Sequence, residues 1–201
     1  MFKPTLVAAV DIGSPNKGNL AWAIAPDESF DADFEGLVKR IAEASAKGPV
    51  SLGFEAPLWV PMRDDLNETL KPRQGEEGRS WSAGPGASTL AAALGVVPNL
   101  LTTLRAAMPS AVVTLDYRNP PSEPGTILMW EAFVSGEDKG VDHKADALIA
   151  AQAFAKNCGD LPACQKLTPE PCLNLLGAML LRTGWSDDLS LLEAEMLVVR
   201  I

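Results

Sequence analysis

The chain has 201 residues, a net charge of −9, 47 % apolar residues and 21 % charged ones. That is enough length and apolar content for one domain with a real core, and it excludes a largely disordered polymer. An acidic surface repels phosphate backbones at long range, so non-specific nucleic-acid binding is disfavoured unless metal or a local basic patch offsets it. No such patch is visible: around Arg63, Lys71, Arg73 and Arg79 stand Asp64, Asp65, Glu68, Glu76 and Glu77.

MFKPTLVAAV begins like a signal peptide. Asp11 and Gly13 follow at once without a cleavage-site pattern, which favours a buried first strand in a cytoplasmic protein. The longest apolar stretch, 173–181, is about half of the ~20 residues a membrane span needs, so no membrane association is expected. Cys158, Cys164 and Cys172 match no zinc spacing; they read as packing residues with free thiols, with a local disulfide such as Cys158–Cys164 the lesser alternative.

TLVAAVDIG (5–13) is a continuous apolar, β-branched run ending in Asp-x-Gly, the mark of a buried strand. SPNKGN turns the chain and LAWAIA (20–25) returns, giving a hairpin. DESFDAD reads as a polar loop. FEGLVKRIAEASAK (34–47) spaces Phe34, Leu37, Val38 and Ile41 helically, and Gly48-Pro49 stops it. VSLGFEAPLWV (50–60) is a strand ending near Glu55. Residues 61–87 are polar and Gly-rich, a long lid-like loop insertion. A helix follows from about Ser88 to Met108, with Pro98 breaking or kinking it. AVVTLDY (111–117) is a short strand or a link, TILMWEAFVSG (126–136) a strand, and VDHKADALIAAQAFAKN (141–157) a helix with Asp142 as its cap. After 158 comes a C-terminal extension: a Cys/Pro-rich connector, 173–185 of undecided state, and a final strand in 195–201. The order implies an α/β fold with helices on a central mixed sheet, one domain over 1–201.

Three acids stand where a core would not want them: Asp11 at the end of the first strand, Glu55 between apolar neighbours, and Asp146 in KADALIAAQAF. A buried carboxylate loses hydration worth several kcal/mol unless it is paired, bonded or metal-bound. Few basic residues lie near them in sequence, so a hard divalent cation, Mg²⁺ or Mn²⁺, is the natural partner. Each acid also has a plainer role: Asp11 capping a turn, Glu55 pairing with an arginine, Asp146 bonding backbone near the helix start. Glu131, in the strand 126–136, is a further candidate for the cluster. Trp22, Trp130 and Trp185 read as core.

AAVDIGSPNKGNLAWAI, LGFEAPLW and DHKADALIAAQAFA, in that order over 11–155, resemble the ribonuclease H-like superfamily, especially RuvC-type resolvases and uncharacterised predicted nucleases of that fold. The resemblance implies a three-layer fold, central mixed sheet flanked by helices, and two-metal phosphodiester hydrolysis. It implies Asp11 bridging both ions, Glu55 on one, and Asp146 with Asp142 or His143 on the other. His143 could instead shuttle protons, or be an exposed first-turn histidine. In the long loop, Arg79 and Trp81 are substrate candidates. The Gly84-Pro85-Gly86 turn could hold a phosphate, and Trp59 and Trp81 could stack on a base. Two rival functions stand beside this. One is an interaction protein that keeps the fold. The other is an ATPase-like protein, since Asp-x-Gly-Ser also resembles the phosphate turn of sugar kinases and actin. A homodimer is left open.

Overall fold

In the computed structural model, which describes residues 2–31, 33–76, 80–134 and 139–200, the N-terminal apolar run is strand β1 (Leu6–Asp11). It lies mid-sheet, so its residues are covered on both faces, which is why the run is continuously apolar rather than alternating. A 3₁₀ turn over Pro15–Lys17 leads into the antiparallel β2 (Ala21–Ile24). Gly18 closes that turn at φ 68°, in the left-handed region that glycine enters without steric cost.

The polar segment read as a loop is instead a third strand, β3 (Glu28–Asp31), antiparallel to β2. It is an edge strand with one inward apolar residue, Phe30, stacked on Trp22 at 4.1 Å between centroids. A single apolar position carries too little alternation to register as a strand. Helix α1 (Phe34–Ser45) follows, its N-terminus capped by Asp33, which accepts from the Gly36 N–H at 3.1 Å.

β4 (Val50–Glu55) pairs parallel with β1, leading to the short β5 (Trp59–Pro61), helix α2 (Gly84–Ala107), β6 (Val112–Thr114) and β7 (Thr126–Phe133). Then come α3 (His143–Asn157), α4 (Leu161–Cys164), β8 (Cys172–Asn174), α5 (Leu175–Arg182) and β9 (Val198–Arg200). The seven-stranded mixed sheet runs β3-β2-β1-β4-β7-β6, with β9 pairing further along β7. The undecided segment 173–185 is therefore the end of β8 plus α5, with Asn174 capping the helix through the Gly177 N–H. β8 pairs with β5 in a separate two-stranded sheet. The three cysteines are free thiols.

Alternation along the strands sorts the core into two layers. Ala8, Val10, Leu52, Phe54, Ile127 and Met129 face α1, α2 and α5. Val7, Ala9, Leu128, Trp130 and Ala132 face α3 and α4, with Trp130 stacked on Phe154 at 4.5 Å. Trp22, Trp130 and Trp185 are all buried.

α2 begins at Gly84, earlier than the expected start near Ser88, and it runs unbroken through Pro98. Pro85, at the first turn, suits a helix start because its missing N–H would have no partner there anyway. Pro98 deprives Leu94 of its i+4 donor, and Leu94 sits on the exposed face, where water can serve the carbonyl. α2 is long and apolar enough, at mean hydropathy 1.5, to cross a membrane by length and composition. It buries Ala93, Val97, Leu100, Leu101 and Leu104 in the core.

The insertion at 61–87 is anchored by a buried ion cluster. Arg73, fully buried, bonds Glu131 at 2.6 and 3.0 Å and Glu76 at 2.9 Å, and its guanidinium lies 4.7 Å from the centre of the Trp59 ring. Glu131 also accepts from the Leu58 N–H at 2.8 Å. Burial pushes the Glu131 carboxyl above its ordinary range, and Arg73 opposes that rise. Glu131 thus belongs to the anchor of the insertion, on the sheet face opposite Asp11 and Glu55. Trp59, buried beneath Arg73, has no free face for a base.

Candidate metal centre

The parallel pairing of β1 with β4 puts Asp11 directly opposite Glu55, so two acids end neighbouring strands on one face. α3 lies across β1 and β2 on that face, with its first turn at the acid-bearing end. His143 Nδ1 comes within 2.5 Å of Asp11 Oδ2, and Asp146, one turn on, is buried beside it. Ligand atoms of Asp11, His143 and Asp146 all lie within 4.8 Å of one another.

The segment before α3 completes the cluster. The Gly140 N–H donates to Asp146 Oδ1 at 2.6 Å, and Lys139 Nζ stands 3.2 Å from Asp146 Oδ2 and 3.8 Å from Glu55 Oε1. Gly140 is needed for this approach, because a Cβ there would meet that of Ala145 at 2.4 Å.

Burial raises the Asp11 carboxyl above its ordinary value, with the bond to His143 pulling the other way. Glu55 is pushed up to about 9, first by burial, then by the Asp11 charge, with Lys139 opposing. Its Oε2 is buried and has no donor among the described residues. Burial works against the Lys139 ammonium, but Glu55 and Asp146 outweigh it and hold its pKa above the ordinary lysine value.

Asp11, Glu55, Asp146 and His143 are therefore brought together. Asp142 is placed otherwise: exposed, it accepts from the Ala145 N–H at 2.8 Å and caps α3. Arg79 lies outside the described residues. Trp81 is half-buried, its Nε1 donating to the Lys71 carbonyl at 3.1 Å, and it lines a cleft that Glu55, Lys139, Gly86 and Thr89 also border. The Gly84-Pro85-Gly86 segment is the first turn of α2 rather than a loop before it, and Pro85 and Gly86 line the same cleft. Sequence reading passed over Lys139 and Gly140. Their only signal is a Lys-Gly pair just upstream of the acid-bearing helix.

No protein-family model matches the chain, and comparison with curated proteins and with solved structures finds no match.

The donors fit a divalent cation. Two buried carboxylates and one imidazole are within reach of a common centre, and a third carboxylate carries an unserved buried oxygen. That mixture of oxygen with one nitrogen suits Mn²⁺ at least as well as Mg²⁺.

Proposed function

We propose that the chain is a metal-dependent phosphodiester hydrolase with a ribonuclease H-like fold. The single observation that carries this is the meeting of Asp11, at the end of β1, with His143 and Asp146 on α3 and with Glu55 beside it on β4. The sheet supports the fold assignment: three antiparallel strands, then parallel neighbours added on the far side of β1, with α3 across the acid-bearing end.

Asp11, Asp146 and His143 would hold Mn²⁺ or Mg²⁺, with Glu55 next to them. When bound, such an ion lowers the pKa of water and draws charge from a phosphoryl oxygen. In hydrolysis the water oxygen bonds to phosphorus as the ester P–O bond breaks, and the proton of that water ends on the departing alkoxide. The carboxylates orient the reactants. The cleft walls of Trp81, Pro85 and Thr89 would take the remainder of the substrate. A net charge of −9 weighs against long duplexes held by their backbones and favours short single-stranded ends or small phosphodiesters.

The test is hydrolysis of bis(p-nitrophenyl) phosphate and of single-stranded, duplex and branched DNA and RNA, with Mn²⁺ and with EDTA. Wild type should cleave at least one substrate with Mn²⁺ only, and Asp11→Asn should cleave none. No calorimetric Mn²⁺ binding, or equal activity in Asp11→Asn, refutes the proposal.

A further inference from the structure

Lys139 is placed unlike a solvated surface lysine. Its ammonium stands between Glu55 Oε1 and Asp146 Oδ2, at 3.8 and 3.2 Å. The next residue, Gly140, gives its N–H to the other oxygen of Asp146 at 2.6 Å, so adjacent residues grip one carboxylate from both sides. Among the described residues, no other lysine or arginine pairs with Asp11, Glu55 or Asp146. The Lys139 side chain keeps 38 % of its surface open and lines the cleft with Trp81, Gly86 and Thr89.

Space then bears on how many ions fit. The group Asp11, His143 and Asp146 converges on one centre and leaves Glu55 outside it. An ion shared by Glu55 and Asp146 would have to lie about 2.1 Å from an oxygen of each, in the space the ammonium fills.

We propose that the centre takes a single divalent ion, on Asp11, His143 and Asp146, and that Lys139 serves as its second cation, between Glu55 and Asp146 and facing the cleft. This rests on the phosphodiesterase reading above and departs from the two ions that the superfamily resemblance implies. A phosphoryl group entering from the cleft would meet the Lys139 ammonium on its way to the metal, so that charge developing on its oxygens faces a positive group at the cleft wall. Lys139 would need no recruitment from solution, which suits a site whose acids are already buried.

Calorimetric titration of metal-free protein with MnCl₂ tests this without reference to activity. Wild type should bind one Mn²⁺ per chain. Lys139→Met should bind a second Mn²⁺, or bind the first at least about 10-fold more tightly, because a like charge has left the centre. Lys139→Arg, which keeps the charge, should retain one ion. A thermal melt of Lys139→Met shows whether it folds; if it does not, the wild-type and Lys139→Arg counts decide alone. Two ions in wild type, or a folded Lys139→Met that titrates like wild type, overturns the assignment of Lys139 and leaves the phosphodiesterase reading intact. Failure of wild type to bind Mn²⁺ at all overturns both.

Discussion

Replacing Glu55 with glutamine should make the metal-free protein more stable while weakening its hold on metal. The Glu55 carboxyl, ordinarily near 4.5, is pushed up to about 9 by burial and by the charge on Asp11. A carboxyl whose pKa is raised by folding binds its proton more tightly in the native than in the unfolded chain. Its contribution is therefore fully present below pH 4.5 and is lost as pH rises through the window from 4.5 to about 9. At about 1.4 kcal/mol per pH unit, the loss reaches at most about 3 kcal/mol by pH 7. Relaxation of the site and water penetration relieve part of that, so about 1–2 kcal/mol is expected, or a rise in Tm of about 3–6 °C for Glu55→Gln. Thermal and urea unfolding in EDTA, from pH 5 to 9, should show wild type weakening relative to Glu55→Gln as pH rises. Added Mn²⁺ should narrow the difference, because a cation on Asp11, His143 and Asp146 favours the ionised Glu55 carboxylate beside it. A variant no more stable than wild type in EDTA, with a parallel pH course, refutes the electrostatic account.

Three other outcomes follow from buried contacts and caps. Arg73→Met should cost about 3–5 kcal/mol in urea unfolding, because it leaves the buried Glu131 and Glu76 without a countercharge; adding Glu131→Gln and Glu76→Gln should recover much of this, and a loss below about 1 kcal/mol would contradict the anchor. Asp142→Ala should cost about 1 kcal/mol as a lost helix cap and leave Mn²⁺ affinity unchanged by calorimetry, whereas a large loss of affinity would return Asp142 to the ligand set. Gly53→Ala should destabilise by about 1–3 kcal/mol, since its Cβ would meet the Trp130 ring at 2.4 Å, and Trp130→Phe in the same chain should restore part of the loss.

The sequence was most readable where local pattern and burial coincide. Asp11, Glu55 and Asp146 stood out because each interrupts an apolar run, and their buried surroundings are what the structure displays. β3 escaped because only Phe30 marks its inner face. Pro98 misled because a proline's cost depends on where the orphaned carbonyl points, and a sequence does not say which side of α2 meets water. Glu131 is as deeply set in an apolar strand as Glu55, yet it faces the opposite side of the sheet, toward Arg73. Only the register of β7 against β4, which pairs Ala132 with Glu55, separates the two. Lys139 was hidden for another reason: its partners are distant in sequence, and a lysine among acidic residues looks like ordinary surface.

The contact between Asp11 and His143 joins residues 132 positions apart. Closing so long a loop carries an entropic cost that no local turn or helix offsets, so the centre cannot assemble before β1, β4 and α3 have docked. The unfolded chain and early collapsed states therefore offer metal at most the sequence-local pair His143 and Asp146, without Asp11. An ion that meets its ligands after the folding barrier has been crossed leaves the folding rate nearly unchanged and acts on unfolding alone. A metal ion bound at this centre would thus prolong the lifetime of the native state without hastening its arrival.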